Sequence, residues 1–188
     1  MFTILLISAY LAGSINFAII VLKMLKKEDP RKYFSGNPGT MNVYRMAGIL
    51  WAAVVFLFDI GRAISIGLLS LYLLEKTYIP WIGLSLILGN RFPCFHRFQG
   101  GKGVANYLGF TAVITPVSTC ISALVWVMVY AIVKIPFIAS FFMIFILATG
   151  TIITLGNNSI ALTGTIVTAL LIYYNHKRNV VELIKKRK

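Results

Sequence analysis

The chain alternates between long apolar runs and short polar segments, and the first run indicates a membrane helix. Phe2 to Leu22 is apolar and is broken by Gly13, Ser14 and Asn16. As a helix it is long enough to cross the roughly 30 Å hydrocarbon core of a bilayer. Lysines follow this run and no basic residue precedes it, which is the reverse of a cleaved export signal. The pattern therefore predicts a retained first helix with its N-terminus outside.

The later apolar runs predict further helices of unequal length. Met46 to Leu74 is long enough to span a bilayer, whereas Tyr78 to Gly89 is too short at about 1.5 Å per residue. The long run from Val104 to Val133 contains Thr115 and Pro116, and proline disfavours a helix that continues straight through. We therefore predict two short helices joined by a turn in that run. The last two predicted spans are Phe137 to Leu155 and Ile160 to Tyr174.

Basic residues favour a topology with seven helices. In that topology all but two of the 18 Lys and Arg lie on the inner side. The exceptions are Lys76, outside, and Arg62, in the membrane, where Asp59 three residues earlier can pair with it. A single helix over 104–133 would place Lys134 and the basic tail outside, against the positive-inside rule. The sequence thus predicts an all-α integral membrane protein of about seven transmembrane helices, some short, with a cytoplasmic C-terminus.

Composition agrees with a membrane protein. The chain has 188 residues, of which 59% are hydrophobic and 12% charged, and its mean hydropathy is +0.84. This leaves too little polar surface to cover a soluble globule. In a membrane protein, the formal net charge of +13 indicates the orientation of the chain in the bilayer and binding to anionic partners, and does not indicate binding to nucleic acid. Cys94 and Cys120 match neither a metal site nor a disulfide framework, so we expect free thiols.

One inner loop combines cationic residues with glycines in a way that suits phosphate. The stretch Leu88 to Asn106 reads LGNRFPCFHRFQGGKGVAN, and Gly100, Gly101 and Gly103 surround Lys102. Glycines lack a Cβ, so their backbone N–H groups can approach a ligand closely beside the lysine. The alternative is a flexible basic loop that touches anionic headgroups.

A second inner segment, SGNPGTMNVYR from Ser35 to Arg45, offers the donors that an oxyanion needs. Gly36, Asn37, Pro38 and Gly39 form turns, and hydroxyl, amide and guanidinium groups stand around them. An ordinary polar turn would have the same composition. The side chains that could present these donors are Ser35, Asn37, Thr40, Asn42 and Arg45.

The seven-helix topology brings both segments and the tail to the same inner face. Arg45, Lys102, His176 and Asn179 are far apart in the chain, yet there they could surround one phosphate. Each is a weak signal alone. A lone histidine is more often an interfacial or hydrogen-bonded residue than a catalytic one, and a basic tail alone is a headgroup-binding face.

The same segments resemble a known family. SGNPGTMNVYR, GNRFPCFHRFQGGKGVA at Gly89 to Ala105, and NHKRN at Asn175 to Asn179 are similar to the three cytoplasmic motifs of the bacterial acyl-phosphate-dependent glycerol-3-phosphate acyltransferases, the PlsY family. Their order and spacing agree along essentially the whole chain. The resemblance implies one transmembrane acyltransferase domain over residues 1–188, in the bacterial cell membrane, with its active site on the cytoplasmic face.

The resemblance also implies an activity and a set of site residues. A fatty acyl group would pass from acyl phosphate to the 1-hydroxyl of glycerol 3-phosphate, giving lysophosphatidate and phosphate in phospholipid biosynthesis. The implied partners are these two substrates and membrane lipids, with no metal, organic cofactor or nucleic acid. Lys102, Arg45, His176 and Asn179 would be catalytic. The phosphate-binding residues would be Ser35, Gly36, Asn37, Asn42, Gly100, Gly101 and Gly103.

This sequence departs from the family pattern at four positions. The family commonly has His, Lys, Thr and Ser where this chain has Asn90, Gln99, Met41 and Phe137. Two alternatives therefore stay open: a weak or inactive paralogue that binds phospholipid precursors or regulates a partner, and a small anion transporter. A transporter would need a polar path to the outer face, where the sequence offers only the mid-membrane Asp59 and Arg62.

Overall fold

The computed structural model describes residues 1–156 and 158–187, which form ten α-helices and no β-strand. The all-α prediction is confirmed for this part of the chain. Lys188, the last residue of the basic tail, lies outside the described residues. The helices are α1 Phe2–Ser14, α2 Phe17–Met24, α3 Thr40–Ala47, α4 Ile49–Leu73, α5 Ile79–Arg91, α6 Val104–Ala112, α7 Pro116–Val133, α8 Pro136–Leu155, α9 Ser159–Tyr174 and α10 Lys177–Arg187.

The apolar helices coincide with the predicted runs. Among the described residues, four segments are long and apolar enough to cross a membrane, namely α1 with α2, α4, α7 and α8. The helices α5, α6 and α9 are shorter, with 13, 9 and 16 residues. The predicted break between α6 and α7 is confirmed, because Pro116 opens α7 at a position where its missing N–H costs nothing. The number of membrane crossings stays a prediction.

The first apolar run, which was predicted as one helix, is divided in the structure into α1 and α2 at its polar residues. Helix α1 ends at Ser14, and the side chain of Asn16 caps α2 by accepting a hydrogen bond from the backbone N–H of Ile19 at 3.0 Å. Gly13 allows the backbone of α1 to contact the backbone of α5 directly. A Cβ on Gly13 would overlap the carbonyl oxygen of Leu86, so a larger residue would force the helices apart.

Arg62 connects three helices inside the bundle. Its guanidinium forms the predicted ion pair with Asp59 at 2.7 Å and donates to Asn106 Oδ1 of α6 at 2.6 Å. It also donates to the carbonyl oxygen of Ala12 at 2.9 Å and to that of Ile15. These carbonyls lie at the C-terminal end of α1, where no further helical turn supplies a donor. The pair is thus part of a larger network that joins α1, α4 and α6.

Three apolar clusters complete the bundle. One joins α1, α4, α5 and α6 around Leu86 and Phe110, and a second joins α5, α6, α8 and α9 around Leu147 and Ile172. The third contains α2, α3 and α4, where Val43 is fully buried. This third cluster fixes α3 through its apolar side and leaves its polar residues at the end of the bundle.

Cysteine labelling in intact cells tests the predicted topology. With Cys94 and Cys120, which form no disulfide, replaced by alanine, Lys76→Cys should react with a membrane-impermeant maleimide. Gln99→Cys and Lys185→Cys should stay unlabelled until the cells are opened, because their segments are predicted to lie inside. These three side chains are exposed. Labelling of Lys185→Cys from outside would contradict the seven-helix topology.

Candidate functional site

The segment that leads into α3 is organised by one buried amide. Asn42 is 1% exposed, and its Nδ2 donates to the carbonyl oxygens of Pro30 and Tyr33 at 3.2 and 3.1 Å. Its Oδ1 accepts from Ser35 Oγ at 3.1 Å and from the guanidinium of Arg45 at 3.2 Å. Both amide hydrogens are therefore used within the protein. Asn42 shapes the site by holding Ser35 and Arg45 in place.

The turn at residues 36–39, the GNPG turn, is held in place by two contacts. The carbonyl oxygen of Pro38 accepts a hydrogen bond from Asn16 Nδ2 at 3.1 Å, which ties the turn to the break between α1 and α2. Gly36 has a φ of +64°, and a Cβ there would lie 2.8 Å from a guanidinium nitrogen of Arg178. The turn therefore requires glycine at this position, and an arginine of α10 lies directly on it.

The glycines of residues 100–103, the GGKG loop, allow the chain to fold back onto the end of α5. The N–H of Gly100 donates to the carbonyl oxygen of Arg91 at 3.1 Å, and that of Gly101 to the carbonyl oxygen of Asn90 at 2.9 Å. A Cβ on Gly100 would overlap that same Asn90 oxygen. These two N–H groups are thus used within the protein. The glycines allow the loop backbone to contact the end of α5, and this contact fixes the position of Lys102.

Lys102 lies between the loop and the first turn of α10. Its ammonium donates to Asn179 Oδ1, while its carbonyl oxygen accepts from Asn175 Nδ2 at 3.3 Å. The predicted convergence of the GGKG loop with the NHKRN motif is present in the structure.

Several other charges act on Lys102. Burial lowers the pKa of its ammonium from 10.5 to about 8, and Glu182 acts in the opposite direction. Three guanidinium groups lower this pKa further, those of Arg91, Arg178 and Arg45. Cations gathered at such short range repel one another, and an anion bound among them would relieve that repulsion. This arrangement is the electrostatic signature of an anion site.

His176 is a neutral residue of the same region. It is 3% exposed, and its Nδ1 lies 2.8 Å from the carbonyl oxygen of Ile172. A carbonyl can only accept, so Nδ1 carries the proton and Nε2 keeps its lone pair. Burial and the charge of Lys102 lower the pKa of His176 to about 4, while the bond to Ile172 opposes this shift. Phe141 packs edge-on against the imidazole ring, with 5.4 Å between the two ring centroids.

The structure brings together the four residues predicted to be catalytic, in two connected groups. Lys102, His176 and Asn179 form one group, and Arg45 with Ser35 and Asn42 forms the other. Arg91 and Arg178 were not among the predicted site residues. Both lie within the motifs that carry the family resemblance, next to Asn90 and Asn179, so position within those motifs was the available signal.

The departures from the family pattern lie at the edge of this site. Asn90 is buried below the GGKG loop, and the Gln99 side chain is exposed. Phe137 lies 6.5 Å from the His176 ring, measured between ring centroids. Within residues 1–156 and 158–187 there is no group of three His, Cys, Asp or Glu side chains that could hold a metal ion.

Fold and site together define an integral membrane protein with a cluster of basic and polar residues at one end of a helical bundle. The chain belongs to the glycerol-3-phosphate acyltransferase family, whose model matches residues 3–186. It is 33% identical over 184 residues to the glycerol-3-phosphate acyltransferase of Neisseria meningitidis serogroup C, covering 95% of this chain and 92% of that protein. The enzyme of the same name from Laribacter hongkongensis is 34% identical over 189 residues, covering 95% and 90%.

Solved structures agree with this family. The chain is similar to the crystal structure of PlsY, an integral membrane glycerol 3-phosphate acyltransferase, in its glycerol 3-phosphate form. The TM-score is 0.91 and the identity 31%, over 100% of this chain and 94% of that one. The lysophosphatidic acid form gives a TM-score of 0.87 at 30% identity. The resemblance inferred from the three motifs is confirmed.

The lowered pKa of Lys102 predicts a pH dependence. The ammonium that would meet a phosphate loses its proton as the pH rises through about 8, so the kcat/KM for glycerol 3-phosphate should fall there. Unfolding should not cause this loss, because between pH 8 and 10.5 the unfolded chain binds more protons at this lysine, and folding is therefore favoured as the pH rises.

Initial rates between about pH 7 and 10, with circular dichroism as the folding control, measure this effect. Arginine keeps its charge in this range, so Lys102→Arg should show no fall near pH 8 even if its rate is lower. A wild-type profile that stays flat across the whole range would contradict the assignment.

Proposed function

We propose that this protein transfers a fatty acyl group from an acyl phosphate to the 1-hydroxyl of glycerol 3-phosphate, giving lysophosphatidate and phosphate. Membership of the glycerol-3-phosphate acyltransferase family supports the acyl transfer and its acceptor. The observation that carries the proposal is the hydrogen bond from Lys102 to Asn179 at one end of the bundle, with three guanidinium groups near enough to lower the pKa of this lysine. Such a cluster suits substrates that bring phosphate groups.

The cations have separate roles in this proposal. Lys102 acts as a point charge for a phosphate, since an ammonium has no fixed fork of donors. Arg45 is exposed and uses one of its N–H groups on Asn42, which leaves further donors for a phosphate or for the developing oxyanion. Arg178 contributes a third positive charge, which α10 places beside the GNPG turn. Together they hold an activated donor and its acceptor in line.

No acyl-enzyme is needed in this mechanism. The hydroxyl oxygen of glycerol 3-phosphate attacks the carbonyl carbon of the donor, and the bond from that carbon to the phosphate oxygen breaks. The hydroxyl proton passes to a substrate phosphate, whose second pKa of about 6 makes it a suitable base. The pKa of His176, lowered to about 4 mainly by burial, supports this route, because an imidazole of such low basicity is a poor acceptor for the hydroxyl proton.

A groove with both charged and apolar walls adjoins the site. It has a volume of about 780 Å³ and lies between the end of α2 and the turn 94–96. Its apolar lining comes from Ile19, Ile20, Met24 and Phe95, and its charged lining from Lys23, Lys27, Glu28, Asp29 and Arg31. Arg31 also donates to the carbonyl oxygen of His96 at 2.9 Å, so the groove adjoins the loop that presents Lys102.

We further propose that the site faces the cytoplasm of a bacterial cell, at its plasma membrane. The segments that form the site carry most of the basic residues, which are retained on the cytoplasmic side. Gln99 is exposed and Asn90 is buried, and neither replaces a residue that contacts the ammonium of Lys102. These two departures therefore leave the contacts of Lys102 unchanged. The intact cluster and the family match favour the enzyme over an inactive relative or a transporter.

An acyltransfer assay tests this function. Purified protein is incubated with palmitoyl phosphate and labelled glycerol 3-phosphate, and the label in extracted lipid is counted. Lys102→Ala should lose activity roughly thirtyfold or more, because losing one partner of a close charge pair costs about 2–5 kcal/mol. Lys76→Ala is the matched control, since this exposed lysine lies at the other end of the bundle. Arg45→Lys should also be impaired if the guanidinium binds two oxygens.

Two results would contradict the proposal. Equal losses from Lys102→Ala and Lys76→Ala would mean that the GGKG loop has no special part in the reaction. Equal rates with palmitoyl phosphate and with palmitoyl coenzyme A would exclude acyl phosphate as the preferred donor.

A further inference from the structure

Helix α10 begins at the edge of the membrane. Only Asn175 and His176 separate it from α9, whose apolar sequence ends at Tyr174. Tyr174 is 58% exposed, and the ammonium of Lys177 lies 4.3 Å from the centroid of its ring. Tyrosine and lysine side chains of this kind are typical of the interface between hydrocarbon and headgroups. The position of α9 therefore fixes the start of α10 at that interface.

One face of α10 is polar and lies on the candidate active site. Asn179 accepts the hydrogen bond from Lys102, and Arg178 lies against Gly36 of the GNPG turn. Arg178 also pairs with Glu182 at 2.7 Å, one turn further along the same face. The first two turns of α10 thus supply part of the phosphate site.

The opposite side of α10 is apolar and exposed. Val181 and Ile184, three residues apart and on one side of the helix, are 50% and 54% exposed. Val180 and Leu183 are half-buried and widen this apolar strip. In water such a strip would be unfavourable, whereas a helix at a bilayer surface can bury it among acyl chains.

Charge decides what kind of surface fits α10. Glu182 is the only acidic residue after Tyr174 in the sequence. The basic residues in the same part of the sequence are Lys177, Arg178, Lys185, Lys186, Arg187 and Lys188. A basic amphipathic helix of this composition is attracted to anionic lipids, with about 1 kcal/mol per basic residue near the surface. The matching surface is a membrane that contains anionic phospholipid.

We propose that α10 binds the anionic membrane surface through Val181, Ile184 and its basic residues, and that this docking holds Asn179 on Lys102. The candidate active site is then complete only when α10 lies on the bilayer. Acyltransfer consequently depends on the anionic lipid content of the membrane. This last dependence rests on the proposed function, whereas the docking itself does not.

Docking is measured with a fluorophore attached at Ile184→Cys, in a protein whose Cys94 and Cys120 are alanine. Vesicles contain phosphatidylcholine alone or phosphatidylcholine with phosphatidylglycerol, and acrylamide serves as a neutral aqueous quencher. A fluorophore at Gln99→Cys, an exposed loop position, reports ordinary access. We expect several-fold weaker quenching at Ile184→Cys than at Gln99→Cys in the anionic vesicles, and a smaller difference in phosphatidylcholine.

Three outcomes of the quenching experiment would overturn the docking. Equal quenching at the two positions in anionic vesicles would mean that the apolar strip is not on the membrane. Protection that is the same in both lipids would exclude a role for anionic headgroups. Protection that disappears when the protein is diluted in lipid would identify a second copy of the chain as the partner.

Coupling to the active site is measured with two variants of α10 that leave its contacts with the site unchanged. One is Lys185→Gln, and the other combines Val181→Ser with Ile184→Ser. Both retain Arg178 and Asn179, so the side chains that α10 contributes to the site are unchanged. Any loss of acyltransfer in these variants therefore reports the position of the helix.

Both variants should behave in anionic vesicles as the wild-type protein does in phosphatidylcholine. We expect Lys185→Gln to weaken docking roughly fivefold, which is the equivalent of about 1 kcal/mol for one basic residue at the surface. Acyltransfer by each variant should fall towards the wild-type rate in phosphatidylcholine. Lys76→Gln, at the other end of the bundle, should leave the rate unchanged.

Activity and docking can fail separately in this design. If the variants leave the membrane while acyltransfer in anionic vesicles is unchanged, docking does not hold Asn179 on Lys102 and the coupling is wrong. If the wild-type protein is protected at Ile184→Cys but transfers no acyl group in any vesicle, the docking stands and the proposed function fails.

Discussion

A charged side chain inside a bilayer has to be partnered, and the way Arg62 meets this requirement organises the fold. An unpaired cation at that depth would cost several kcal/mol. Arg62 avoids this cost through Asp59, through Asn106 and through two carbonyl oxygens at the end of α1. Because these carbonyls lie where α1 ends and the regular helical donors run out, the guanidinium also stabilises the end of α1. One side chain thus fixes the relation of α1, α4 and α6.

The candidate active site depends on that network through two short connections. The first runs from the end of α1 to Asn16, which donates to the carbonyl oxygen of Pro38 and so holds the GNPG turn. The second runs through Asn106 in the first turn of α6, close behind Lys102 in the chain. Both phosphate-type segments are therefore anchored to the same buried charge. A site that must orient two substrates needs this kind of rigid support.

Local pattern and charge were enough to predict several features from the sequence. Pro116 marked the break between α6 and α7, the spacing of Asp59 and Arg62 marked their ion pair, and the basic segments indicated that Lys102 would meet Asn179. Which polar groups are used within the protein could not be predicted. Asn42 is an amide with two internal carbonyl partners, and such partners are fixed only by tertiary contacts. The N–H groups of Gly100 and Gly101, expected to bind phosphate, likewise donate to the carbonyl oxygens of Arg91 and Asn90.

One phosphate-binding site is expected where the GNPG turn, the GGKG loop and α10 meet, and a crystal structure with bound glycerol 3-phosphate tests this most directly. We predict a phosphate within hydrogen-bond distance of both Lys102 Nζ and the Arg45 guanidinium. A phosphate bound elsewhere, with the Lys102 ammonium still bonded only to Asn179, would contradict a shared site.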